Sequence, residues 1–293
     1  MFWVTLALGS ALFLGFYDIA KKKALTGNAV LPVLFFVSLT CAVSLFPAFL
    51  LGKIPSISVS EHGMLLLKAA IVTSSWAFTF NAVSRLPLSI TAPVRASAPV
   101  FTIAMAVAFM GERPSGMEWL GIALSLAAYL TMSFASRKET GHFWTNIWIL
   151  SMFLGTFLGS VSGIYDKFLL QRAHLNPLSI QFYYNIYMAC LQGLGVLFLR
   201  FWHRDKPNRI RFEFRKVILA VGVLLVIADR FYFLAVHEPD ALISVVTVIR
   251  RSNVLIGFLG GLIFFHEKRS ALKYAAMAGI LLGLVCFGLP TSP

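Results

Sequence analysis

The chain has 293 residues, of which 58% are apolar and 13% charged, and its mean hydropathy is +0.81; that composition excludes an ordinary soluble domain. Net formal charge is +13, a balance that in a soluble chain would point to nucleic acid. Here most Lys and Arg fall in short connections between apolar runs, where they set orientation and meet anionic headgroups, so membrane lipid and not nucleic acid is the expected partner.

Ten apolar runs, each long enough to cross a hydrocarbon core of roughly 30 Å as a helix, nearly exhaust the sequence. The first, residues 2–20, has no basic residue ahead of it and carries Tyr17-Asp18 where a cleavable leader needs small residues, so it reads as a retained span. The next four fall at 30–51, 65–85, 88–109 and 116–134. A second set follows at 147–169, 177–199, 216–236, 240–264 and 271–289. The longer connections are Gly52 to Gly63 and the strongly basic stretch from Arg200 to Lys216. Cys41, Cys190 and Cys286 all lie inside apolar runs without a C-x-x-C spacing, which suggests neither a disulfide framework nor a metal site.

The chain repeats itself. Gly15-Phe16-Tyr17-Asp18 recurs as Gly163-Ile164-Tyr165-Asp166, and at the same offset Asn28 matches Asn176 and Phe35-Phe36 match Tyr183-Tyr184. Further on, Ala82-Val83 match Ala235-Val236, Arg95 aligns with Arg250, Gly111-Glu112-Arg113 with His266-Glu267-Lys268, and Trp119 with Tyr274. The shared order divides the chain into residues 1–137 and 142–293, five spans each. An odd number of spans obliges the second half to enter the membrane in the opposite sense. The expected fold is therefore an all-α membrane protein of ten transmembrane helices arranged as two inverted five-helix repeats, with a binding site near the midplane between two rocking bundles.

Connections after spans 1, 3, 5, 7 and 9, taken with the span ends beside them, hold 16 Lys and Arg; those after spans 2, 4, 6 and 8 hold 5. The positive-inside rule makes the first set cytoplasmic and puts both termini outside.

Charged side chains within spans cost several kcal/mol by insertion scales, roughly 2.5 to 3.5 each at a helix centre, and mark function by default. Arg95 and Arg250, with Arg251 beside the latter, are expected to turn guanidinium forks into a central cavity toward a carboxylate or phosphate; the structural alternative is pairing with Asp229, Asp18 or Asp166. Arg230, next to Asp229, reads as structural. Asp18 and Asp166, with Tyr17 and Tyr165 beside them, are candidates for two gates, against the alternative of interfacial caps. Gln181, Tyr184, Asn185, Met188 and Gln192 share one face of the seventh span, expected to line the cavity, with Tyr184 and Asn185 toward a substrate, against the alternative of polar glue between helices. Trp76, Asn81, Tyr232 and Asn253 are further candidates for the same lining. Glu112 and Glu267 close apolar runs and read as caps or headgroup contacts. Pro93 and Pro99 flank Arg95 and invite a kink, while Gly257, Gly260 and Gly261 allow close helix approach.

No H-E-x-x-H, G-x-S-x-G, P-loop or dinucleotide fingerprint is present, so neither an enzyme nor a cofactor is expected. The two five-span halves, the Gly-Glu-Arg at 111–113 with its copy at 266–268, and the small, Ala- and Pro-rich run from Thr91 to Ala108 resemble the EamA family of the drug/metabolite transporter superfamily. That resemblance implies a multi-pass secondary carrier with a ten-helix inverted-repeat fold and a central cavity, here an exporter or exchanger of a small anionic or zwitterionic metabolite such as an amino acid. It also implies both termini in the cytoplasm, against the charge count. The inner (plasma) membrane is the expected location, and a homodimer is left open. A lipid-modifying enzyme or lipid-handling scaffold is the alternative, favoured if the buried charges gather at one membrane face.

Overall fold

The computed structural model describes residues 2–83, 94–95, 97–134, 147–202, 212–264 and 271–288, all helices and short connections with no strand among them. Among the described residues ten helical rods follow one another: α1 (Phe2–Leu25), α2 (Val30–Leu50), α3 (Val59–Val83), α4 (Ala98–Met110), α5 (Gly116–Phe134), α6 (Ile147–Arg172), α7 (Pro177–Trp202), α8 (Val217–His237), α9 in two pieces (Ile243–Arg251 and Asn253–Phe264), and α10 (Ala271–Gly288). Six of them, α1, α2, α3, α6, α7 and α8, are long and apolar enough to cross a membrane by length and composition. Chain 88–93, the start of the expected fourth span, lies outside the described residues, as do Glu267 and the other members of its motif.

Helix starts are set by polar residues the apolar runs do not contain. α3 begins at Val59, ahead of the apolar run, because Ser58 and Glu61 form a capping box: the Ser58 amide donates to Glu61 Oε2 at 2.5 Å and the Glu61 amide to Ser58 Oγ at 3.4 Å. Ser115 and Glu118 repeat the device at α5, with 2.6 and 3.3 Å. Consequently Lys68 lies well inside α3, and Lys167 inside α6; both are buried. Neither belongs to a connection, which leaves Lys53, Arg113 and Arg172 as the basic residues of the sparsely charged side.

The extensive packings all join a helix of residues 2–134 to one of residues 147–288: α1 with α8 and α9, α2 with α7 and α8, α3 with α6 and α7, α4 with α6, α5 with α10. In lipid such contacts depend on close approach more than on hydrophobic exclusion, and small residues provide it. A Cβ on Gly155 of α6 would stand 2.4 Å from Thr79 Oγ1 of α3; one on Gly283 of α10 would stand 2.2 Å from Ser125 Oγ of α5. Phe13 of α1 stacks on Phe231 of α8 with centroids 5.7 Å apart.

The connections gather at two ends. At one, the Asn28 amide donates to the Glu213 carbonyl at 2.7 Å, and Arg215 donates to the Thr26 carbonyl at 2.8 Å. At the other, where α2, α4, α6 and α8 finish, Ser179 Oγ donates to the Pro55 carbonyl at 3.2 Å, and the Gln171 amide to the carbonyls of Val236 and Glu238 at 2.9 and 2.7 Å.

Candidate functional site

Between these ends lies a cavity of about 350 Å³, lined from α1, α3, α4, α6, α7, α8 and α9. Its wall includes the start of α4 and the break in α9. Ser97 precedes α4, its amide donating to the Val94 carbonyl at 3.2 Å while its own carbonyl accepts from Val100 at 2.9 Å. Ser252 breaks α9 after Arg251: its amide reaches the Ile249 carbonyl at 3.0 Å, and its carbonyl accepts from Leu255 at 2.9 Å. That break sits immediately after Arg251, which lines the cavity, the setting in which irregular backbone is tolerated at membrane depth.

Charges of the lining fall into two groups. Toward the end where Gln171 bridges, every charge is paired. Lys68 forms a buried ion pair with Asp166, whose other oxygen accepts from Tyr232 at 3.2 Å. Arg250 pairs with Asp229, and its guanidinium lies 4.1 Å from the Tyr232 ring centroid. Lys68 also lies over Tyr184, 4.6 Å from the ring centre. Each cation therefore has a carboxylate and an aromatic face.

At the other end the balance differs. Asp18 accepts from the Asn253 amide at 2.6 Å. Lys21 and Arg251 stand within electrostatic reach of Asp18, and both stand within reach of Arg95. None of these three cations has a carboxylate within ion-pairing distance among the described residues. Lys21 instead lies over Tyr17, Trp76 and Phe80, at 5.1, 5.9 and 4.8 Å from their centroids, contacts that favour a cation without neutralising it.

Of the residues singled out in the sequence, Arg95, Arg250, Arg251, Tyr184, Trp76, Asp18, Asp166 and Tyr17 line this cavity, as do Tyr232 and Asn253. Three do not. Asn185 is buried and donates to the Gln181 carbonyl at 2.6 Å within its own helix; Asn81 is exposed and donates to Ala77 at 2.8 Å. Tyr165 points away from Asp166, stacking on Phe168 and donating to the Met64 carbonyl at 3.3 Å. Helical periodicity explains that divergence, since neighbouring residues sit about 100° apart on a helix. Lys21 and Lys68 line the cavity without having been singled out; a lysine near a run's end reads as interfacial until helix starts are known.

Residues 1–134 match the EamA-like transporter family. That family lies within the drug/metabolite transporter superfamily. No curated relative matches the sequence. A solved crystal structure, described only as that of a protein, shares the fold with a TM-score of 0.73 and 16% identity, covering 97% of this chain and 96% of its own.

Glu112, in the Gly-Glu-Arg on which the EamA resemblance rested, is a buried cap for a different helix. Gly111 adopts φ +70 at the end of α4 and turns the chain inward. The Glu112 carboxylate then accepts from the amides of Ile243 and Ser244 at 2.6 and 3.1 Å, at the start of α9, and from Lys167 Nζ at 2.6 Å. A carboxylate at a helix N-terminus meets unpaired amides and the positive end of the dipole. Residues 111–113 thereby tie α4, α6 and α9 together beside the paired charges.

Proposed function

We propose that this EamA protein is a secondary transporter of a small anionic or zwitterionic metabolite, an exporter or exchanger in the inner membrane, working by alternating access around the central cavity. The observation that carries this reading is the cavity itself, in which charged side chains from both halves converge on one internal space. Charges gathered at one membrane face would have favoured a lipid-handling scaffold.

Two inverted five-helix repeats account for the architecture. Exchanging each helix of the first half for its counterpart five positions on turns the α1–α8 packing into α6–α3 and the α2–α8 packing into α7–α3, while α2–α7 and α5–α10 map onto themselves; all of these packings are present. In alternating access, one end of the cavity is shut while the other admits substrate. The Glu112–Lys167 tie and the paired charges beside it form the shut end, and Asp18 and Asp166 stand as the corresponding gate residues of the two halves.

Purified protein in proteoliposomes should show saturable, substrate-dependent counterflow for at least one member of a panel of amino acids, carboxylates and phosphate esters. Flux indistinguishable from protein-free liposomes across the panel overturns the reading.

A further inference from the structure

The charge balance of the cavity narrows the substrate class, an inference that rests on the transporter reading. At the end where every charge is paired, Lys68 and Arg250 are offset by Asp166 and Asp229. At the other end, Lys21, Arg95 and Arg251 face one carboxylate, Asp18, already engaged by Asn253. Among the described lining residues, two positive charges are left over.

Surplus charge in a cleft with low-dielectric walls is not diluted by distance as it is in water, and it raises the local concentration of the opposite sign. A zwitterion leaves the surplus untouched, and a monoanion leaves half of it. A dianion cancels it. The donors suit that role: two guanidiniums stay charged and grip planar or tetrahedral oxyanions in bidentate fashion, while an ammonium adds a point charge. Arg95 lies just ahead of α4 and Arg251 just ahead of the break in α9, so a ligand bridging them links a segment of each half.

We propose that Arg95, Arg251 and Lys21 form a subsite for a small dianionic metabolite, with the carboxylate or phosphate oxygens between the two guanidiniums and the Trp76 and Tyr17 rings bounding the remainder. A phosphate monoester and a short dicarboxylate share this chemistry, and the test separates them.

Binding of inorganic phosphate, glycerol 3-phosphate, succinate, lactate and alanine to detergent-purified wild-type protein is measured by thermal shift and intrinsic tryptophan fluorescence, and counterflow of the same compounds in proteoliposomes. The expected result is saturable stabilisation by succinate or by the two phosphates at least tenfold tighter than by lactate or alanine. Stabilisation by one arm alone identifies the source of the dianion. Arg95→Lys and Arg251→Lys, which keep the charge and lose the fork, should weaken the preferred dianion at least tenfold, and Arg95→Ala and Arg251→Ala more, with no comparable loss in Arg215→Ala at the bundle end. Counterflow of alanine or lactate without dianion binding overturns the dianion subsite and leaves the transporter reading standing. Dianion binding unaffected by all four cavity variants moves the site elsewhere and also overturns it. No binding and no flux for any compound removes both readings.

Discussion

The two ends of the cavity contain similar residue types, yet they hold them in opposite states. Near Asp166 each cation has a carboxylate within bonding distance and an aromatic ring against it. Near Asp18 three cations share one carboxylate. Buried pairs are costly to break and contribute little when intact, so the first end is suited to hold helices together, whereas unneutralised charge has no stabilising role and is suited to a ligand. The same residue types do different work according to whether a partner is already in place.

Removing Glu112 should produce the largest effect on stability. Glu112→Ala strands Lys167 and uncaps α9, and the expected loss is about 3 to 5 kcal/mol, read as a lower melting temperature in detergent or as failure to accumulate. A melting temperature within a degree of wild type would show that the tie is dispensable. Next, Asp166→Asn should cost about 3 kcal/mol by leaving Lys68 buried without its carboxylate. The double variant D166N/K68M should regain most of that, because the stranded charge, not the missing contact, causes the loss; equal melting of single and double variants would contradict this. Caps at the same end are smaller: Ser58→Ala and Ser115→Ala should each cost about 1 kcal/mol, and Ser→Gly at either position clearly less.

The smallest effect on stability belongs to the other end. Arg95→Ala and Arg251→Ala should each leave the stability of ligand-free protein unchanged to within about 0.5 kcal/mol, or raise it, since each deletes one member of a repelling pair. Both should nevertheless abolish saturable counterflow of an anionic substrate. If these variants destabilise as strongly as Asp166→Asn, the contrast between the two ends disappears and the arginines are structural.

Much of this was legible in the sequence. Hydropathy marked the helices because a span must be apolar along about 20 residues, and the repeat brought out Tyr17, Asp18, Asp166, Arg95 and Arg250, which line the cavity. Asn81, Asn185 and Tyr165 were misplaced because a residue's spacing says which face it shares but not what that face meets. Lys21 and Lys68 were passed over because their depth depends on where a helix starts, and the S-x-x-E pattern at 58–61 shows that start only once it is read as a capping box.

The sequence by itself determined that the chain is helical and membrane-embedded, since those properties follow from composition and local spacing. Which arginine has a counterion was decided only in three dimensions. Arg250 and Arg251 are adjacent in the chain, and yet one meets Asp229 while the other faces open cavity. Helical geometry turns neighbours about 100° apart, and only the interleaving of the two halves determines what each of them then faces.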